Sequence, residues 1–190
     1  FSSAERTADP ELKGLSWQGC GVASSSKKRI LFSNVRFEGC FLLGTIFEGI
    51  DFAGCEFVRC ELKGALFAQC NFGPNELGKP TVFRECHSNV AVVGGSIESL
   101  EFHDCQLNQP AIKNVSLKGD VVYAQGSKII QGLFEQITVE EGKDAFILVE
   151  SDSQAAYCFA DEGCLSLLRV ERANPELPNS RLPDEFRTRR

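Results

Sequence analysis

Histidine occurs only twice in the 190 residues, as His87 and His103, which leaves few options for chemistry that needs an imidazole. No stretch approaches the length of uncharged apolar sequence that a membrane span requires. No secretory leader opens the chain either, but Phe1-Ser2-Ser3 lacks a Met, so that absence carries no weight. The formal charge of −6 is modest and argues against a sequence-independent grip on nucleic acid, so direct nucleic-acid binding is not expected. What the chain has in quantity is apolar residues, 43% of the total, enough to fill a real core in one domain's worth of sequence. It also has nine cysteines, an odd number that sits poorly with a complete disulfide framework.

The decisive feature is a strict five-residue period from Ile30 to Phe72. Large apolar residues recur as Phe32, Phe37, Leu42, Phe47, Phe52, Phe57, Leu62, Phe67 and Phe72. Two places before each stands a small or β-branched residue: Ile30, Val35, Cys40, Thr45, Ile50, Cys55, Cys60, Ala65 and Cys70. Gly39, Gly44, Gly49, Gly54 and Gly64 stand two places after. Neither helical nor simple strand periodicity gives this pattern. Two apolar residues spaced two apart point to one side of a short extended segment. The glycine then marks a corner, because it accepts backbone angles that other residues avoid. Four such segments and corners close one coil about every twenty residues, by the five-residue period.

In that register Leu12, Phe32, Phe52, Phe72, Val92 and Ile112 are expected to stack on one face, and Trp17, Phe37, Phe57, Leu77, Ile97 and Leu117 on the next. The third column reads Val22, Leu42, Leu62, Val82, Phe102 and Val122, and the fourth Lys27, Phe47, Phe67, His87 and Leu107. Cys20, Cys40, Cys55, Cys60, Cys70 and Cys105 all occupy the small inward position, which reads as reduced packing residues in a cytoplasmic setting.

These residues resemble the pentapeptide-repeat family, whose pattern is a small residue, a polar residue, Leu or Phe, and two variable positions. The resemblance covers roughly residues 10–140 and implies an all-β fold, a right-handed quadrilateral β-helix with both apolar columns inside. This sequence departs from the family's common Ala-Asp/Asn-Leu core by preferring Phe centrally and Cys at the small position. The expected organisation is an N-terminal extension at 1–9, the repeat helix at 10–142, a C-terminal cap at 143–172 and a Pro-rich basic tail or linker at 173–190. The cap is inferred because a solenoid end must be covered against edge-to-edge association.

Both polar exceptions in the fourth column coincide with loop-like composition, Ala23–Lys28 and Gly73–Pro80. Insertions in solenoids tend to map to the binding face. Lys27, Lys28, Asn75, Glu76, Lys79 and His87 are therefore the candidate partner-binding residues, against the plain alternative of imperfect repeats. Cys86, His87, His103 and Cys105 lie about one coil apart and carry zinc-compatible groups, but they lack the paired close spacing of zinc motifs. No metal, cofactor or catalytic residue is assigned. His103-Asp104-Cys105 does not converge as a nucleophile site, and Gly94-Gly95 opens no helix that could cradle phosphate. The acidic residues of 134–163 read as a solvated face or as a docking surface for a basic partner.

Three classes of function follow. The first is a non-catalytic protein-binding scaffold, such as the repeat domain of a secreted bacterial effector, delivered into a host cell, or of a larger protein. The second comes from the resemblance, since some family members mimic duplex DNA and bind DNA gyrase, as quinolone-resistance proteins do. Against it, the acidic residues gather at one end, and the apolar C-terminal helix that pairs those proteins has no counterpart in Ala173–Arg190. An enzyme is the third and least favoured, because a filled solenoid offers no pocket where titratable groups converge.

Overall fold

The computed structural model describes residues 11–25 and 28–171, together with the backbone of 186–188. The chain winds as a four-sided coil of short parallel strands, an all-β quadrilateral solenoid. The first face is an 8-stranded sheet running from Glu11–Lys13 through Arg36–Glu38, Glu56–Val58, Thr81–Arg84, Leu100–His103, Val121–Ala124 and Ile147–Val149 to Leu168–Val170. The second face holds Ser16–Gln18, Phe41–Leu43, His87–Ser88, Gln106–Asn108, Lys128–Ile130 and Gln154–Ala156, with Glu61 bridging its two parts. The third is again 8-stranded, from Gly21–Ala23 to Phe186–Thr188, and the fourth runs from Ile30–Ser33 to Thr138–Val139.

From Val35 to Phe72 each segment buries the residue pair predicted from the period. Phe37, Phe57, Phe83, Phe102 and Tyr123 form an interior ladder on the first face. Phe37 and Phe57 stack at 4.6 Å, Phe57 and Phe83 at 4.4 Å, and Phe102 and Tyr123 at 4.9 Å. Rings from neighbouring faces meet edge-on, as Phe57 and Phe67 do at 5.8 Å. Offset-stacked and edge-on pairs add about 0.5–1.5 kcal/mol each beyond the area they bury. Where a polar residue takes the small position, its hydroxyl is satisfied by the backbone. Ser127 Oγ donates to Phe102 O at 2.9 Å and accepts from Cys105 N at 3.1 Å. Thr81 Oγ1 accepts from Cys55 N at 3.3 Å.

The corners share one backbone device. The residue two places after the inward Phe or Leu adopts the left-handed conformation whether or not it is glycine: φ is +58° at Asn34, +51° at Arg59, +52° at Gln69 and +56° at Gln109. This conformation costs a non-glycine residue about 1–2 kcal/mol. It aims the N–H along the coil axis at a carbonyl of the next coil: Asn34 N donates to Ala53 O at 2.9 Å, Arg59 N to Arg84 O at 2.8 Å and Gln109 N to Ile130 O at 2.7 Å.

The twenty-residue columns do not survive intact. Leu12 stacks on Phe37 rather than Phe32, and Trp17 on Leu42. Phe57 stacks on Phe83 rather than Leu77, and Phe67 on Val92 rather than His87. The physical reason is that residues 74–80 bulge out of one corner instead of filling repeat positions, and that six residues separate Ala23 from Ile30 where one separates Glu48 from Ile50. Leu77, expected inside, is 92% exposed at the tip of that bulge. After each long connection the next inward residue drops back onto the core, but the spacing between stacked residues has changed.

Residues 143–172 carry Ile147–Val149, Gln154–Ala156, Cys158–Ala160 and Leu168–Val170, each paired in parallel with the coil before it. A single helical turn, Glu162–Leu165, takes the place of a strand, with Asp161 accepting from Cys164 N at 2.7 Å as its N-cap. The 1–9 extension lies outside the described residues, as does 173–190 apart from 186–188.

All nine cysteines are free, and all but Cys20 are buried. Burial pushes the Cys55 and Cys70 thiols up to about 11. Their S–H groups point at backbone carbonyls, as Cys55 does at Phe32 O, 3.1 Å away. Because the reactive species is the exposed thiolate, a colorimetric thiol reagent is expected to titrate Cys20 alone in the native protein. All nine should react after denaturation; several fast-reacting thiols in the native state would contradict this packing.

Candidate functional site

The bulge at 74–80 leaves the coil between the fourth and first faces. Asn75 organises it. Its Oδ1 accepts from Leu77 N and Lys79 N, both at 2.9 Å, so the side chain closes the turn that backbone groups would otherwise leave open. Its Nδ2 donates to Asn34 Oδ1 at 2.5 Å, tying the bulge to a corner two coils back. The intervening corner is Gly54, where an added Cβ would lie 2.7 Å from that of Asn75; only a residue without a side chain leaves the crossing open.

From this corner Lys79 reaches onto the first face and meets Glu56 at 2.9 Å. Glu56 also holds Arg36 at 2.5 Å, and Arg36 lies 3.3 Å from Glu38 and 3.6 Å from Glu11. Burial pushes the Glu56 carboxyl up, but Lys79 and Arg36 outweigh it and hold the group below its ordinary value. Arg59 and Lys13 extend the network through Glu38. Between bulge and network lies a shallow recess of about 200 Å³ lined by Glu11, Asn34, Val35, Arg36, Gly54, Glu56 and Lys79. Its walls are alternating charges already paired with one another, an arrangement suited to recognising a charged or hydrogen-bonding surface.

The other long connection, between Ala23 and Ile30, starts and ends at the opposite edge of the fourth face. Ser24 Oγ accepts from Ile30 N at 2.8 Å and donates to Gly49 O at 2.6 Å, closing it at the base. Arg29 then reaches across two coils, pairing with Asp51 at 2.6 Å and donating to Gln69 O at 2.8 Å.

The candidates from the sequence are thus divided. Asn75, Glu76 and Lys79 share one bulge. Lys28 is exposed across the fourth face from it, and Lys27 lies outside the described residues. His87, expected on the same side as Lys27, is exposed on the second face between Glu61 and Gln106. Sequence reasoning missed Arg29, Arg36, Glu56 and Leu77. Arg36 and Glu56 carried a signal, since each precedes an inward Phe and therefore faces outward on the same side of the coil.

Cys86, His87, His103 and Cys105 are not brought together. The two thiols are in the core, donating to Phe57 O at 3.2 Å and Phe83 O at 3.4 Å. His103 Nε2 lies 2.7 Å from Glu101 on the first face. The acidic residues of 134–163 are spread around the coil: Glu135 pairs with Lys113 and Glu140 with Lys118, each at 3.2 Å, while Asp161 caps the helical turn. No helix among the described residues is long and apolar enough to cross a membrane.

Residues 31–72 match the family model for pentapeptide repeats, in 8 copies. No curated protein matches the chain. Among solved structures it is similar to a trypsin-treated variant of QnrB1, a plasmid-mediated fluoroquinolone resistance protein, with a TM-score of 0.50 and 15% identity over 86% of this chain and 92% of that one. A second trypsin-treated variant of QnrB1 gives a TM-score of 0.46 and 14% identity, with the same coverage. At such identity the likeness concerns the fold alone. Residues 31–72 thus carry pentapeptide repeats, and the four-sided coil that they begin and later residues continue has the fold of that family.

Proposed function

We propose that this chain is a non-catalytic protein-binding rod, the repeat portion of a bacterial effector or of a larger protein, that recognises its partner through the corner built by Asn75, Leu77 and Lys79. The supporting observation is the contrast between interior and edge. The interior is packed with Phe, Leu and Cys side chains, whereas the bulge is held open by its own hydrogen bonds and presents an apolar tip beside a charge network. A rigid scaffold carrying an ordered loop is how recognition residues are commonly displayed. Lys79 and Arg36 offer donors and Glu56 and Glu11 acceptors, so the fitting partner is a protein surface of mixed charge with a small apolar depression for Leu77.

The modulator of DNA gyrase remains the second reading, favoured by the fold shared with QnrB1 and by a coil interrupted by a projecting loop. One experiment separates the two. The chain and its Leu77→Ala/Lys79→Ala variant are immobilised and exposed to bacterial and eukaryotic lysates. The scaffold reading expects a saturable protein whose binding weakens by about tenfold or more in the variant, the loss of one or two central contacts. Recovery of gyrase subunits would favour the second reading. Equal retention by both forms would remove the bulge from either.

A further inference from the structure

The third face differs from the other three in what it shows to solvent. The outward residue preceding each inward one reads Gly21, Ile46, Leu66, Ala91, Ala111 and Leu133, aligned strand to strand by the parallel register. On the first face the same column begins Glu11, Arg36, Glu56, and on the fourth Leu31, Asp51, Asn71. From Gly21 to Phe159 the third face alone, among the described residues, carries an uncharged stripe, which ends where Arg187 takes the next register position. Ile46 is 43% exposed and the stripe continues into Phe159, 38% exposed. The second outward column is Ala23, Glu48, Ala68, Val93, Lys113 and Glu135.

The order of sizes along this stripe identifies what covers it. Consider a second copy packed face to face, with a two-fold axis parallel to the strands and passing between those of Leu66 and Ala91. Such an axis reverses the order of the strands and keeps each column opposite itself. Leu66 then faces Ala91 of the partner subunit, Ile46 faces Ala111 of the partner subunit, and Gly21 faces Leu133 of the partner subunit. Every apposition sets a large side chain against a small one, as two interdigitating sheets about 10 Å apart require. The same operation sets Glu48 opposite Lys113 of the partner subunit, twice by symmetry. Glu48 is exposed, and Lys113 also pairs with Glu135 of the neighbouring strand at 3.2 Å. Moving the axis by half a strand spacing, onto Ala91, sets Ile46 against Leu133, Ala91 against itself and Glu48 against Glu135, which is uneven in size and repulsive in charge.

We propose that the third face is a self-association surface, on which two copies pack antiparallel in the register that pairs Leu66 with Ala91 and Glu48 with Lys113. This inference stands independently of the partner corner, which lies between the first and fourth faces. Six strands about 4.8 Å apart and about 12 Å wide give a footprint on the order of 350 Å² per copy. That is below the roughly 800 Å² per partner of a standard stable complex, so the dimer is weak and concentration-dependent.

Sedimentation equilibrium of the full chain, from micromolar to several hundred micromolar, tests this. A reversible monomer–dimer equilibrium is expected. Leu66→Glu and Glu48→Lys should each weaken it by about tenfold or more, because the two-fold axis makes each substitution alter two central contacts or reverse two charge pairs. The double exchange Glu48→Lys/Lys113→Glu should restore dimerisation relative to Glu48→Lys, because each new lysine again faces a carboxylate. These charges are at the surface, so the exchange decides the matter even if Leu66→Glu fails to fold. A chain that stays monomeric throughout overturns the proposal, including one that instead takes up an apolar peptide on this face. A dimer indifferent to folded Leu66→Glu, or a double exchange no better than the single one, also overturns it.

Discussion

Phe57→Ala is expected to lower the unfolding free energy by about 3–5 kcal/mol, the range for truncating a fully buried aromatic side chain. Phe57 has no exposed surface. It sits midway in the interior ladder, 4.6 Å from Phe37 and 4.4 Å from Phe83, with interplanar angles of 2° and 4°. It also meets Phe52 at 5.7 Å and Phe67 at 5.8 Å, so truncation opens a void touched by rings from three faces. Neighbouring coils cannot collapse into that void, because their spacing is set by backbone hydrogen bonds rather than by side chains. Phe41→Ala is the matched control. Phe41 is 52% exposed on the second face, and its loss should cost well under half as much. Urea denaturation followed by circular dichroism checks both; equal shifts in midpoint would refute the assignment of inside and outside.

Gly95→Ala is expected to be at least as damaging, by a different mechanism. Gly95 has φ of +80° and occupies the small inward position directly above Cys70. A Cβ there would lie 1.9 Å from Cys70 O, a backbone atom with no freedom to turn away. That carbonyl already accepts from Ser96 N at 3.2 Å. The substitution must therefore force the two coils apart at a place where a strand pair begins. A left-handed alanine costs about 1–2 kcal/mol by itself, and the backbone clash brings the expected loss to roughly 4 kcal/mol or more, in the range reserved for strained special positions. Gly142→Ala has a similar φ of +76° but open space around the added atom, and it should show the conformational cost alone. Thermal unfolding of the two variants side by side separates strain from collision. A Gly95→Ala protein as stable as Gly142→Ala would mean that the coils are not as closely apposed as described.

Why Gly94-Gly95 stands where it does could not be read from the sequence. The pair looks like a loop, and its true cause, a close approach to a residue of the preceding coil, depends on a register that the bulge at 74–80 has shifted. The same shift explains what was legible and what was not. Between residues 31 and 72 each coil has the same length, so the five-residue period alone gives the inward columns and the corners. Beyond Phe72 the inward pairs and corners persist, as Leu107 with Gln109 and Phe134 with Gln136 show. The coils, however, become unequal, and Phe83, Phe102, Tyr123 and Val149 stack although no fixed spacing joins them. Glutamine and aspartate at the corners hid the turns as well, because the signal sought was glycine. The candidate corner was half legible. The turn-rich composition of 73–80 marked the bulge, but Asn75 binding Asn34 depends on three-dimensional proximity across two coils.

The hydrogen bonds that run from each corner to the next coil have a consequence for how this protein measures distance. Because they are parallel to the axis, every coil advances by the spacing of one strand, about 4.8 Å, however many residues it contains. Extra residues such as 74–80 widen the circumference and leave the length untouched. The chain is therefore a ruler with fixed graduations. Outward side chains such as Glu56 and Glu101 keep their axial separation through any lengthening of the bulge, and only the gain or loss of a whole coil can reset it.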